Sequence, residues 1–358
     1  MGRFEEVGPG TPVVESVRVD RINPRARLGV SIRAVIALII ALVMLIPVIW
    51  LLMTTFKTRP DAVSVPPKFI PYVEGGLLSD YCTVERSGKL IEKPQCFELT
   101  LEGIIGLFTQ RRTLTAPEHA EYSQKVDQMS WIEKIMFRRG LLIIGPSQYV
   151  GRFVNSLIIA GSSTVLSVVI GLLAAYAFSR FRIPGEGDLL FFILSTRMLP
   201  PVVVTIPIFL MYRALDIYDT HIGMIVLYTV FNLSMSVWLL KGFLDEIPRE
   251  YEEAALVDGY SRMQAFFKIV LPQAVTGIAA TTVFCLIFAW NEYAFALMLT
   301  NDRARTAPPS IPSVMGTGGV EWSMIAAGAM LFLIPVVAVT FGLRKYLLRG
   351  VTFGAIRQ

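Results

Sequence analysis

EYEEAALVDGYSRMQAFFKIVLP, residues 250–272, is the stretch whose reading decides the fold. It carries charges, two adjacent alanines, a glycine and a closing proline, and it lies between two segments apolar enough to cross a bilayer. Pro248 suits a first helical turn, and Glu250, Glu252 and Glu253 fall near the positive end of the helix dipole. Ile247, Tyr251, Ala254 and Ala255 share one side of that helix, and Gly259 is placed to end it. Ser261 and Gln264 then form a capping-box pattern, and Met263, Phe266, Phe267, Val270 and Leu271 recur at helical spacing until Pro272. The spacing predicts two short amphipathic helices meeting at a glycine. They form either a hairpin packed on the chain's own membrane domain or a docking element for a partner.

The surroundings of this stretch are those of a membrane protein. The chain has 358 residues, of which 54% are hydrophobic and 17% charged; soluble proteins average about a quarter charged. Mean hydropathy is +0.57. Six runs, 34–56, 153–179, 189–212, 222–240, 269–291 and 322–343, approach or exceed the length of a spanning helix, and only the third holds an internal charge, Arg197. The organisation expected is a tail at 1–33, a first span at 34–56, an outer loop at 57–152, a core of spans at 153–343 containing the loop 241–272, and a tail at 344–358.

Lys and Arg are concentrated in the N-terminal tail, at Arg180 and Arg182, in the 241–268 segment and after the last span, which places both termini on the cytoplasmic side. The 57–152 segment is also rich in basic residues, but long loops translocate largely regardless of charge. The net charge of +5 is accounted for by these flanks and calls for no nucleic acid. A cleaved signal peptide is disfavoured, because the apolar run is too long and no small-x-small site precedes Lys57.

EAALVDG, followed by IVLP, resembles the EAA signature of ABC importer permeases at Glu253, Ala254, Ala255, Gly259, Ile269, Leu271 and Pro272. The segment 155–185, the segment 196–225, AWNEYAFALMLT at 289–300 and the tail RGVTFGAIRQ look like the second permease subunit of maltose-type carbohydrate importers. The resemblance covers roughly residues 30–70 and 150–358 and leaves out most of the outer loop. It implies an all-α membrane protein of six transmembrane helices with the type I ABC importer permease fold, here with an enlarged periplasmic loop between spans 1 and 2. It implies residence in the bacterial inner membrane. The partners implied are a homologous second permease, two ATP-binding subunits and a periplasmic solute-binding protein, besides membrane lipid. The loop would be the coupling helix that docks on an ATP-binding subunit, with Asp258 and Arg262 joining the seven signature residues. The tail's RGVTFGA run would suit a turn-rich insertion toward the ATPase interface.

No G-x-x-x-x-G-K-[ST] sequence occurs, so ATP and Mg would be handled by the partner subunits and the chain itself would bind no cofactor and perform no catalysis. His119 and His221 lack companions at ligand spacing, and no metal site is expected. A secondary transporter would need carboxylates at membrane depth, and a membrane-embedded enzyme would need clustered His, Asp or Glu there; neither pattern is present. Candidate residues on a solute path are Arg197, Asn232, Ser236, Asn291 and Glu292, since polar groups inside a membrane face cavities or partners. Arg197, beside Pro200 and Pro201, is either a structural anchor or a substrate contact. Among Asn232, Ser234 and Ser236, alternation prevents all three from facing one way. Glu292 could equally mark a helix end.

Cys82 and Cys96 lie in the outer loop, where a disulfide of that spacing would contribute about 3 kcal/mol; two free thiols are the alternative. Cys285, in the fifth run, reads as a small apolar packing residue. In the same loop, Trp131, Ile132, Ile135 and Met136 form one helix face, suited to the membrane interface, to a partner or to packing within the loop.

Overall fold

A computed structural model describes residues 24–63, 99–138, 140–312, 315–316 and 319–354. The chain divides into two compact units, residues 1–49 and 50–358. Cys82 and Cys96 lie outside the described residues.

The first helix, α1 (Pro24–Thr55), is apolar, and its side chains from Val35 to Ile49 are exposed. A single turn, α2 (Arg59–Ala62), follows, capped by the Thr58 hydroxyl. The outer segment has a structure of its own. Helix α3 (Glu102–Phe108) leads into β1 (Thr109–Thr113), which pairs antiparallel with β2 (Leu141–Pro146) around α4 (Ala116–Ser123) and α5 (Trp131–Arg138). In α5 the buried side chains are Met136 and Phe137, while Trp131 is 62% exposed, so this helix packs within the outer segment on a face shifted from the one its spacing predicts. Arg111 of β1 pairs with Glu321 at 3.3 Å, holding the hairpin to the start of the last helix.

The bundle is centred on α6 (Tyr149–Arg180) and α9 (His221–Asp245). A stripe of small residues on α6, Ser156, Ala160, Ser163, Ser167, Gly171 and Ala175, is buried and allows close approach. At Gly171 a Cβ would stand 2.4 Å from the Ser236 Cβ, so only glycine fits where the two helices cross. Around this pair lie α7 (Glu186–Ser195), α8 (Pro201–Ala214), α13 (Val275–Trp290), α14 (Ala294–Leu299) and α15 (Trp322–Gly354). Two further short strands, β3 (Met315–Gly316) and β4 (Gly319–Val320), precede α15. One apolar core contains Ile159, Tyr212, Met224, Trp290 and Leu299; a second contains Val168, Tyr176, Leu244, Phe266 and Val270.

Four described helices are long and apolar enough to cross a membrane, and two bent pairs raise the number to six if each is one span. The expected third span is broken where Arg197-Met198-Leu199-Pro200 stands: the segments Glu186–Met198 and Pro201–Ala214 meet at 91°. Proline lacks the N–H that would continue the ladder, and the residue before it is pushed out of helical geometry. The expected fifth span begins later than hydropathy suggests. Ile269, Leu271 and Pro272 belong to an earlier helical segment, bent by 73° from Val275–Trp290. Pro47, Pro207 and Pro335 each sit inside a continuous helix. After the last span α15 continues through Gly354, so residues 349–354 of the run expected to be turn-rich are helical, and Ala355 lies outside the described residues.

Candidate functional site

Two places gather the residues that the sequence singles out: a loop beyond the end of α9 and a cavity between the helices. The loop opens with α10 (Glu250–Val257). Gly259 follows it with φ +87°, a conformation that a side chain strains. The Gly259 N–H donates to Leu256 O at 3.1 Å and the Tyr260 N–H to Ala255 O at 3.0 Å, which is the Schellman arrangement that closes a helix on a left-handed residue. Helix α11 (Arg262–Ala265) then starts on a complete capping box: Ser261 N–H donates to Gln264 Oε1 at 2.8 Å, and Gln264 N–H to Ser261 Oγ at 3.3 Å. Before Pro272 the chain widens into a π turn at Phe266–Val270, whose Leu271 N–H donates to Phe266 O, and α12 (Leu271–Gln273) ends the segment. The wider turn spares Pro272 the clash its ring would make in a regular helix.

The side that the spacing assigns to Ile247, Tyr251, Ala254 and Ala255 is divided between inside and outside. Ala255 and Ile247 are buried, but Tyr251 is 56% exposed, Ala254 is exposed, and the buried acid is Glu252. Glu253, Ala254, Asp258, Gly259 and Pro272 are exposed; Ile269 and Leu271 are half-buried; and Arg262 is exposed with its guanidinium 5.4 Å from the centre of the Phe181 ring. Val257, 88% exposed, extends an outer face of Tyr251, Ala254 and Met263 that nothing in the chain covers among the described residues.

Glu252 and its partners escape sequence reasoning. Its carboxylate pairs with Arg180 Nε at 2.9 Å, with both side chains about 5% exposed or less, and accepts a hydrogen bond from the Tyr176 hydroxyl. Arg180 also donates from Nη2 to Ile247 O at 3.1 Å and from Nη1 to Ser179 Oγ at 3.0 Å. Ser179 Oγ donates to Asp245 Oδ1 at 2.6 Å, and Arg249 Nη2 to Ser179 O at 2.5 Å. The available signal was an arginine ending one apolar run and an acid in the loop, and both are commonplace.

The cavity has a volume of about 230 Å³ and is lined by polar groups from Arg197, Tyr228, Asn232 and Glu292 and by rings from Phe231, Phe288 and Phe295. Arg197 lies over the Phe288 ring at 4.0 Å and donates to Phe231 O at 3.3 Å, so its carbonyl partner is on α9 and not at the broken turn. The Tyr228 hydroxyl donates to Glu292 Oε2 at 2.8 Å. The same carboxylate accepts from the backbone N–H of Phe295 at 2.9 Å and of Ala296 at 3.0 Å, so Glu292 both starts α14 and faces the cavity. Asn232 donates to Cys285 O at 3.1 Å. Two expected path residues lie elsewhere. Ser236 is fully buried against Cys285 Sγ at 3.2 Å, and Asn291 donates back to Ile287 O at 2.9 Å. Ser236 thus joins α9 to α13 and stands beside Gly171 of α6 where α6 and α9 cross.

Residues 167–353 match the family described as binding-protein-dependent transport system inner membrane component. A probable ABC transporter permease protein of Sinorhizobium fredii is 29% identical over 89% of this chain and 92% of its own length, so the match extends into the outer segment. The trehalose transport system permease protein SugB of Mycobacterium tuberculosis is 36% identical over 57% of this chain and 76% of its own length. The trehalose/maltose transport system permease protein MalG of Thermococcus litoralis is 33% identical over 57% of this chain and 74% of its own length. In structure, a chain of a bacterial ABC transporter involved in the import of alginate superposes with a TM-score of 0.58 at 19% identity, covering 91% of this chain and 98% of that one.

Proposed function

The chain belongs to the family of inner-membrane components of binding-protein-dependent transport systems, and from that premise we propose that it forms one half of the path by which an ATP-driven importer moves a carbohydrate or polyol. The observation that carries this reading is α10: a short helix fixed at both ends, with an apolar outer face that includes Val257 at 88% exposure. Exposed apolar side chains on a rigid element mark a protein contact. In this reading Glu253, Ala254, Asp258 and Arg262 meet one of two ATP-binding subunits, while Ala255 seats the helix against its own chain and Gly259 shapes its end, on the cytoplasmic side where both termini also lie. Ile269, Leu271 and Pro272 set the angle at which that element joins the bundle.

The chain supplies no phosphate-cradling sequence. ATP and Mg are used by the partner subunits, and this subunit's task is conformational and not catalytic. A homologous second permease completes the path and a periplasmic solute-binding protein delivers the cargo. A carbohydrate suits the cavity, because Phe231, Phe288 and Phe295 offer apolar faces to a ring while Arg197, Asn232 and Glu292 offer polar groups to hydroxyls. The trehalose and maltose systems among the relatives point the same way.

Closure of the ATP-binding pair would push on α10 and bias the bundle between its two states, which requires differential contacts in each. The test is uptake of sugars and polyols into a strain lacking this subunit, alongside co-purification with the ATP-binding subunit. Restored uptake of one solute class, with association lost in Gly259→Asp, is expected. Uptake that persists without the subunit sinks the assignment.

A further inference from the structure

The loop's buried polar cluster neither lines the cavity nor belongs to the outer face of α10. Helix α10 has eight residues and touches its own chain through few apolar side chains, chiefly Ala255. Short flanking segments join it to α9 and to α11. A lever attached only by such links would absorb a push by bending them. We propose that Glu252, together with Arg180 and Tyr176, is an internal strut that welds α10 to the end of α6, so that displacement of the docking helix is passed into the longest pair of packed helices. This rests on the reading of the loop as the ATPase dock.

The geometry fits a strut better than a stabilising contact. Arg180 reaches the loop at two separate places, Glu252 Oε2 at 2.9 Å and Ile247 O at 3.1 Å, while Ser179 Oγ of its own helix braces the guanidinium at 3.0 Å, and so it fixes the loop in direction as well as distance. A second guanidinium, Arg249, reaches back to Ser179 O at 2.5 Å. Tyr176 adds its hydroxyl to Glu252 and its ring to Phe266, at 4.6 Å between centroids, so α6 grips the segments on both sides of Gly259. A buried ion pair offers little net stability over apolar residues of the same shape, because desolvation offsets its attraction. Its contribution is one defined orientation. On this view Glu252 is a positioning residue, while the neighbouring Glu253 faces outward.

The test uses the complete transporter, with its second permease, ATP-binding subunits and solute-binding protein, reconstituted in proteoliposomes. ATP hydrolysis and solute uptake are measured together. Glu252→Gln keeps the size of the side chain and removes its charge. We expect the complex to assemble and hydrolyse ATP while solute moved per ATP falls at least about fivefold, the lower end of typical coupling factors. Arg180→Gln should do the same, and the double variant should lose less than the two single losses combined. A purely structural role would lower assembly, hydrolysis and uptake in proportion and leave the ratio unchanged, and that result overturns the proposal. If Glu252→Gln does not assemble, Tyr176→Phe, which keeps the ion pair, decides: a reduced ratio supports the strut and a wild-type ratio overturns it. A wild-type complex whose hydrolysis is unrelated to uptake overturns the reading of the loop itself, and the strut with it.

Discussion

The two ends of α9 are each tied down by a carboxylate, and the ties differ in kind. Beyond its C-terminal end, Glu252 takes its hydrogen bonds from the side chains of Arg180 and Tyr176, which lie 72 and 76 residues away in sequence. Just before its N-terminal end, Asp219 takes four from backbone N–H groups, those of Asn301, Asp302, Arg303 and Ala304, at 3.0 to 3.2 Å. Asp219 holds φ +55° to do so, and nearby the Asn155 amide donates to the carbonyls of Arg303 and Arg305. A backbone clasp of this sort depends on one side chain and a loop conformation. A tie between two long side chains depends on both partners, so losing either strands the other. The end proposed to transmit motion carries the mutual tie, and the opposite end carries the clasp.

The sharpest way to break the contrast is Glu252→Ala, which leaves the Arg180 guanidinium buried without its counter-charge and should cost about 3–5 kcal/mol. Thermal unfolding of the assembled complex reads this. The adjacent Glu253→Ala, on the exposed side of α10, strands no buried charge within the chain and should cost less than Glu252→Ala in that assay. Between the two ends α9 is held by close packing. Gly171→Val places a methyl-bearing carbon where Ser236 already stands, and the overpacking should cost about 1–3 kcal/mol in the same assay. Asp219→Ala frees four donors at a partly exposed site, so about 1 kcal/mol is expected, visible as faster tryptic cleavage after Arg303 or Arg305.

The smallest effect is one of pH. Burial pulls the Asp219 carboxyl upward, and the four backbone donors outweigh it, leaving the group below its usual 3.8. A lowered value means that the charged form favours the fold. The contribution is complete above the ordinary carboxylate value and is lost as pH falls through the folded one. The melting temperatures of the parent and Asp219→Asn should therefore differ at pH 6 and converge below about pH 3.8. Glu118 in the outer segment behaves alike. It is held down to about 2, first by the Thr115 backbone N–H and then by Arg112, so its capping box should persist in acid that releases ordinary carboxylates.

Local signals were legible in the sequence. Gly259 as a helix stop and the Ser261–Gln264 box each depend on neighbours a few residues apart, and each stands in the structure where the pattern puts it. Features that depend on the third dimension were not legible. Hydropathy merges Ile269–Val270–Leu271 with the following span, because the bend near Ala274 changes no composition. Helical spacing groups Tyr251 and Ala254 with Ala255 on one side, but only Ala255 of these is buried, and Glu252 faces inward with Arg180, a partner 72 residues away that no local pattern announces. Arg197, Asn232 and Glu292 line one cavity, whereas Ser236 lies at the crossing with Gly171, a contact with no trace in either local stretch.

The π turn at Phe266–Val270 has a bearing on how this element tolerates change in length. One surplus residue is housed there without interrupting the helix, and each residue added to or removed from a helix rotates the remainder of that helix by about 100°. The azimuth at which the outward face of the loop meets its neighbour is thus written partly in a residue count. Deleting one amino acid within 266–270 would let an ordinary helix form with its flanks nearly in phase, whereas a deletion in the regular helix beside the π turn would swing that face away. A lineage could retune the bearing of this element by such single-residue insertions or losses while every side chain at the contact stayed the same.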